Sequence, residues 1–202
     1  SSAASDVYKR QAVGTAQVAA HRASATAAAV QAVTVRWDII AFGPADAAPA
    51  ARIANPGGFA SARAVTREKI TFTGSGTFSA DDAADVTGGG SYTIYNADDS
   101  VQVTGAYAVT RLLSWRQAPG TNNPGIDQVA DPATYRPGAA LLAITYDDGS
   151  DGFLLVSCHG QGTPDAVFEG VIASHGFSTF FSAEVAQGSP FIDANRTIFH
   201  VQ

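Results

Sequence analysis

This sequence has no methionine, a single cysteine and little charge: Asp, Glu, Lys and Arg together make up 15% of its 202 residues. Each scarcity excludes something. One cysteine, Cys158, cannot form an internal disulfide framework or a cysteine-only zinc site. Twelve Lys and Arg stand against 18 Asp and Glu, giving a net charge of -6 with no basic block. That balance lacks the electrostatic footprint of a nucleic-acid binder, so no nucleic-acid partner is expected. No apolar run reaches the roughly 18 residues of a membrane-spanning helix, so no transmembrane segment is expected either. What is present is ordinary for a globular, acidic chain. Hydrophobic residues reach 46%, enough to bury a core.

The N-terminal region reads differently from the rest. Residues 1–11, SSAASDVYKRQ, resemble a translated sequencing adaptor of the kind left on assembled metagenomic reads, and are read as non-native. Residues 12–32, AVGTAQVAAHRASATAAAVQA, are rich in alanine and have no large side chains to bury. They read as a linker. One competing reading is the remnant of a secretory signal, with a small-residue cleavage pattern at Ala27-Ala28-Ala29, which would imply a secreted or periplasmic protein; a packed helix is the other. A single domain is expected over residues 33–202.

From Val33 onward the hydrophobic period is two. Val33, Val35, Trp37 and Ile39 share one face of a strand, opposite Thr34, Arg36 and Asp38. In residues 69–79 Ile70, Phe72 and Phe78 share a face with Gly74 and Gly76, where the strand is expected to bend. The segment Val101–Trp115 is long, with Tyr107, Val109, Leu113 and Trp115 in one register. Further strands are expected over 33–42, 91–96, 140–146, 153–159, 166–173 and 196–201. Polar turns such as Asn96-Ala97-Asp98-Asp99 and Asp147-Asp148-Gly149-Ser150 mark hairpins. One short helix is expected near residues 174–186, with Ser174 as its N-cap. The stretches 43–64 and 118–138 are rich in proline and glycine and read as long loops.

About eight mostly antiparallel strands in an all-β chain predict a closed or nearly closed barrel, with a two-sheet sandwich as the alternative. In architecture this is similar to small ligand-binding and cyclase barrels of the lipocalin and allene-oxide-cyclase kind, without a motif diagnostic of either.

The candidate chemistry lies late in the chain. Cys158 and His159 are adjacent, so on one strand they point to opposite faces and make a poor nucleophile–base pair. Cys158, beside Leu155 and Val156, reads as a buried hydrophobe. Glu169 falls on an apolar face, where a carboxylate must be paired, protonated or functional. His159 and Glu169 are the candidate acid/base pair. His175 could join them as a metal ligand, but the spacing fits no metal signature, and no metal or cofactor is expected. Arg111 falls on the apolar face of the longest strand and would point inward as an anion clamp, unless a bulge turns it out. Tyr107, Trp115 and Phe72 would line a ligand cavity with it. Arg36 and Asp38 read as a solvated pair. Asn195-Arg196-Thr197 is a formal glycosylation sequon.

These readings predict a domain that binds a small lipophilic or weakly anionic molecule. The alternatives are a cofactor-independent cyclase, isomerase or hydrolase using Glu169 and His159, and a structural or interaction protein without a pocket. Oligomeric state is not legible.

Overall fold

A computed structural model of the chain describes residues 32–44, 47–121, 125–184 and 193–202. The fold reported is that of the unit Ala32–Gln202. The adaptor-like segment and all of the Ala-rich linker except Ala32 lie outside the described residues.

The described chain is all-β. Its strands are β1 (Thr34–Gly43), β2 (Ile53–Pro56), β3 (Ala60–Arg63), β4 (Lys69–Phe72), β5 (Ser75–Ser79), β6 (Gly89–Tyr95) and β7 (Val101–Gln117), followed by β8 (Ile126–Asp127), β9 (Gly138–Tyr146), β10 (Asp151–Cys158), β11 (Gly170–His175), β12 (Ser178–Phe180), β13 (Ser182–Ala183) and β14 (Asp193–Val201). Two single-turn 3-10 helices, Pro49–Ala51 and Pro132–Thr134, interrupt the two long loops. No α-helix occurs among the described residues.

The strands form one large mixed sheet. Hydrogen bonding runs β12-β11-β10-β9-β7-β6-β5-β1-β2-β8, with β14 also on β1, and β4 on β6 carrying β3 and β13. All named pairs are antiparallel except β2 with β8. The ladder stops at β12 and at the two-residue β8, so pairing does not close it into the expected barrel. The sheet instead folds over itself: β10 and β11 pack against β14, and β11 against β3. Val35, Trp37, Ile39, Phe72, Tyr92, Leu142, Leu154, Val156 and Phe199 are fully buried between the packed faces.

Three local features depart from strict alternation. The 69–79 pattern breaks at Thr73-Gly74 into β4 and β5. Gly74 has φ 144°, and a Cβ there would lie 2.4 Å from the Tyr107 hydroxyl, so only glycine fits the corner. In β7, two register shifts against β9, at Val109/Arg111 and Leu112/Ser114, each insert one residue. The buried positions are therefore Tyr107, Val109 and Leu112, while Arg111 and Leu113 are exposed. A bulge turns Arg111 outward, and the inward clamp is not formed. The helix expected near 174–186 is not formed over its described part, 174–184, and residues 185 and 186 lie outside the described residues. Residues 170–183 form β11, a turn at Gly176, β12 and β13, because Ala173 pairs with Phe180 and both are buried. Period-two burial overrides the capping signal.

Candidate functional site

β10 ends at Cys158 and the chain returns at Gly170, the first residue of β11. The connection is pinned at both ends. The His159 backbone N–H donates to Glu169 Oε2 at 2.7 Å, and His159 Nδ1 lies 2.6 Å from the Val167 carbonyl oxygen. A carbonyl only accepts, so Nδ1 carries the proton and Nε2 is the basic nitrogen of the neutral ring. Gly170, at φ 112°, takes the left-handed bend that lets Glu169 face back toward β14.

From β14, the Thr197 backbone N–H donates to Glu169 Oε1 at 2.7 Å. The Thr197 hydroxyl is 3.3 Å from the same oxygen and donates over 2.6 Å to the Ser157 carbonyl. β14 is itself bulged here. Its register against β1 shifts between Ile40 and Phe42, and Asn195 takes φ 62°. The bulge places Arg196 and Thr197 beside Glu169. Asn195 is buried and its Oδ1 accepts the Ser61 N–H at 2.7 Å, so the sequon is not a surface glycan acceptor in this fold.

These residues border a cleft. Tyr135, Cys158, His159, Glu169, Arg196 and Thr197 form its polar side, and Ile40, Phe42, Ala54 and Ile198 its apolar side. Its volume is about 30 Å³, room for about two water molecules. Burial raises the Glu169 carboxyl from its usual 4.5 to about 7, against the opposing pull of the two backbone N–H groups and Arg196. It therefore exchanges its proton near neutrality. Cys158 and His159 both border the cleft, because the strand ends between them and its alternation no longer separates them. The Cys158 thiol is buried, 3.3 Å from the Tyr135 hydroxyl, and burial pushes it well up. It is a small core group and not a thiolate nucleophile.

The remaining sequence-predicted site residues lie elsewhere. Phe72 and Tyr107 pack edge to face at 5.2 Å, and the Tyr107 hydroxyl donates to the Thr73 carbonyl. Trp115 sits between Phe78 and Phe199 at 5.5 and 4.7 Å. All three pack in the core, away from the cleft lining, and Arg111 is on the surface. His175 pairs with Asp148 at 3.0 Å and stacks near Tyr92 and Tyr146, so it does not join His159 and Glu169. Among the described residues no group of three or more His, Cys, Asp or Glu side chains could hold a metal.

A second polar cluster lies on the same face of β1 and β14. Asp38 is 1% exposed and takes two hydrogen bonds from Arg36, at 2.7 and 2.9 Å. It is a half-buried ion pair, sealed on the Asp38 side, and not the fully solvated pair expected. His200, fully buried, has Nδ1 at 3.0 Å from the Thr134 hydroxyl and Nε2 at 3.2 Å from Asp127 Oδ2. Neither Nε2 nor Oδ2 has a well-directed hydrogen bond. Burial raises Asp38 and lowers His200, each away from its charged form. This cluster fastens the segment 126–136 over β14, helped by the Arg136 N–H donating to the Phe199 carbonyl.

Sequence reasoning missed Tyr135, Arg196, Thr197, Asp127 and His200. One signal was available: Arg196, Ile198 and His200 alternate on one strand face, which places two basic residues on a face that otherwise reads as buried. Comparison of the chain with protein-family models, with curated proteins and with solved structures gives no match.

Proposed function

We propose that the domain binds a small organic molecule whose polar end enters the cleft at Glu169 and whose apolar part lies on Ile40, Phe42, Ala54 and Ile198. The observation that carries this reading is the joining of an apolar wall to a convergent polar set in one cleft. The folded sheet supplies that wall. The small volume favours a ligand that inserts a compact group, such as a carbonyl or carboxyl, and leaves the rest on the open side. The earlier expectation of a cavity lined by Phe72, Tyr107 and Trp115 gives way to this cleft.

The test is titration calorimetry with medium-chain carboxylic acids and their methyl ketones. Binding is expected to weaken about tenfold in Ile198→Asp, which puts a charge on the apolar wall. Undiminished binding by that variant overturns the reading.

A second reading is favoured by one observation. His159 has its tautomer set by Val167, with the basic nitrogen opposite the fixed Nδ1–H, and Glu169 titrates near neutrality. Such a pair suits proton transfer next to a carbonyl, as in an isomerase. Deuterium exchange at the α-carbon of bound ketones, followed by NMR in D2O, is expected to disappear in His159→Ala. Exchange at the uncatalysed rate in the wild type removes this reading and leaves binding alone.

A further inference from the structure

The outer face of β3, β4 and β6 carries a second, larger depression that the cleft at Glu169 does not share. Its volume is about 420 Å³, and it is bounded by Phe59, Ser61, Lys69, Thr71, Tyr95 and Glu184, with Ala194 and Asn195 at its floor. Pairing lays these residues out on a grid. Arg63, Lys69 and Tyr95 form one row across the three strands, and Ser61, Thr71 and Thr93 form the next. Phe59, just before β3, begins the row after that. From strand spacing and rise, Phe59 and Tyr95 stand about 15 Å apart on the diagonal, with hydroxyls between them.

The chemistry of the groove is specific in three respects. Its charges are already neutralised: Glu184 pairs with Arg63 at 2.6 Å, and Lys69 pairs with Asp99 at 3.0 Å. Its middle is hydroxylic. Ser61 Oγ and Thr71 Oγ1 are 2.8 Å apart, so one hydroxyl satisfies the other and one O–H remains to donate. Its ends are aromatic. Phe59 is a large ring left 44% exposed, and Tyr95 lies under the Lys69 ammonium at 4.4 Å. The Tyr95 hydroxyl makes no hydrogen bond to the described residues.

Among the described residues a charged ligand would find no unpaired counter-charge here, and a purely apolar one would strip water from the threonine and tyrosine hydroxyls without replacing it. A ligand with alternating C–H faces and hydroxyl edges answers both the rings and the hydroxyls. We infer that this groove is a binding site for a neutral oligosaccharide, lying along the diagonal from Phe59 to Tyr95.

The experiment uses the full 202-residue chain and a panel of neutral hexasaccharides (cello-, malto-, xylo- and manno-oligosaccharides), read by titration calorimetry. At least one is expected to bind, with affinity falling about tenfold in Phe59→Ala and in Tyr95→Ala. Affinity is expected to hold between about 50 and 500 mM salt, because no charge is recruited. Phe59 is exposed, so its replacement leaves the fold intact, which circular dichroism checks. Thr71→Val is a second probe that removes a hydroxyl and keeps the shape. Failure of the whole panel to bind overturns the inference. So does equal binding by Phe59→Ala and Tyr95→Ala, or binding confined to sulfated sugars and abolished by salt.

Discussion

The two polar clusters on the β1/β14 face differ in how burial has been answered. At Glu169 each carboxyl oxygen meets a backbone N–H, at 2.7 Å in both cases, and the group still borders open space. At His200 the ring is sealed, and its Nε2 faces Asp127 at 3.2 Å without hydrogen-bond geometry. The first arrangement holds a titrating group ready at a surface. The second closes a loop onto a strand and has no access for a ligand. A buried ionisable residue is thus no pointer to a site by itself; the donors around it and the space beside it decide.

Breaking the sealed cluster has the largest expected effect. His200→Ala removes a fully buried ring and the neighbour of the Asp127 carboxyl, and should cost about 3–5 kcal/mol. Urea denaturation measures this, and a loss below about 1 kcal/mol would mean that the cluster does not hold segment 126–136. Next comes Glu169→Gln. An amide has one acceptor oxygen, so its NH2 must face the N–H of His159 or of Thr197, at a cost of about 1–3 kcal/mol.

The same variant sharpens the contrast through pH. The folded-state value of Glu169, about 7, lies above its ordinary 4.5. The folded protein therefore holds a proton that the unfolded chain releases. This contribution is complete below pH 4.5 and is lost as pH rises through 7, an amount of about 3 kcal/mol. The upward shift of Asp38 acts in the same direction, and the lowered His200 acts oppositely, losing stability as pH falls. The difference between wild type and Glu169→Gln across pH 4.5–7 isolates Glu169, and parallel curves would contradict its raised value. A smaller effect is expected of Thr134→Val, which removes one partner of His200 and should cost about 1 kcal/mol in the same denaturation measurement. Arg111→Ala should lie within about 0.5 kcal/mol of wild type and leave ligand binding unchanged. A larger change would place Arg111 in a role that its exposed position does not explain.

Much of the β framework was legible, since Val35, Trp37, Ile39, Ile70 and Phe72 alternate as a half-buried strand requires and are all buried. An inserted residue leaves no mark in such a pattern, which is why the inward reading of Arg111 and Leu113 slips past the two bulges of β7. Short strands such as β2 and β8 were hidden in proline- and glycine-rich sequence, because two to four residues carry no period. Of the cleft, His159 and Glu169 were readable as a strand-end histidine and a carboxylate among apolar neighbours. Tyr135 and Arg196 were not, because they reach Glu169 from separate segments of the chain and only the folded topology brings them there. Asp127 and His200 meet for the same reason.

The bulges of β7 also bear on how this chain can change length. A residue lost from the middle of a paired strand normally turns every later side chain to the wrong face. Thr110 is an exception, because two positions of β7 already stand opposite one of β9 at that point. Its removal would take out the first of the two bulges, with Val109 and Leu112 still inward and Arg111 still outward. The longest strand of the sheet thus carries, near its centre, a position where a codon can be lost without scrambling the core.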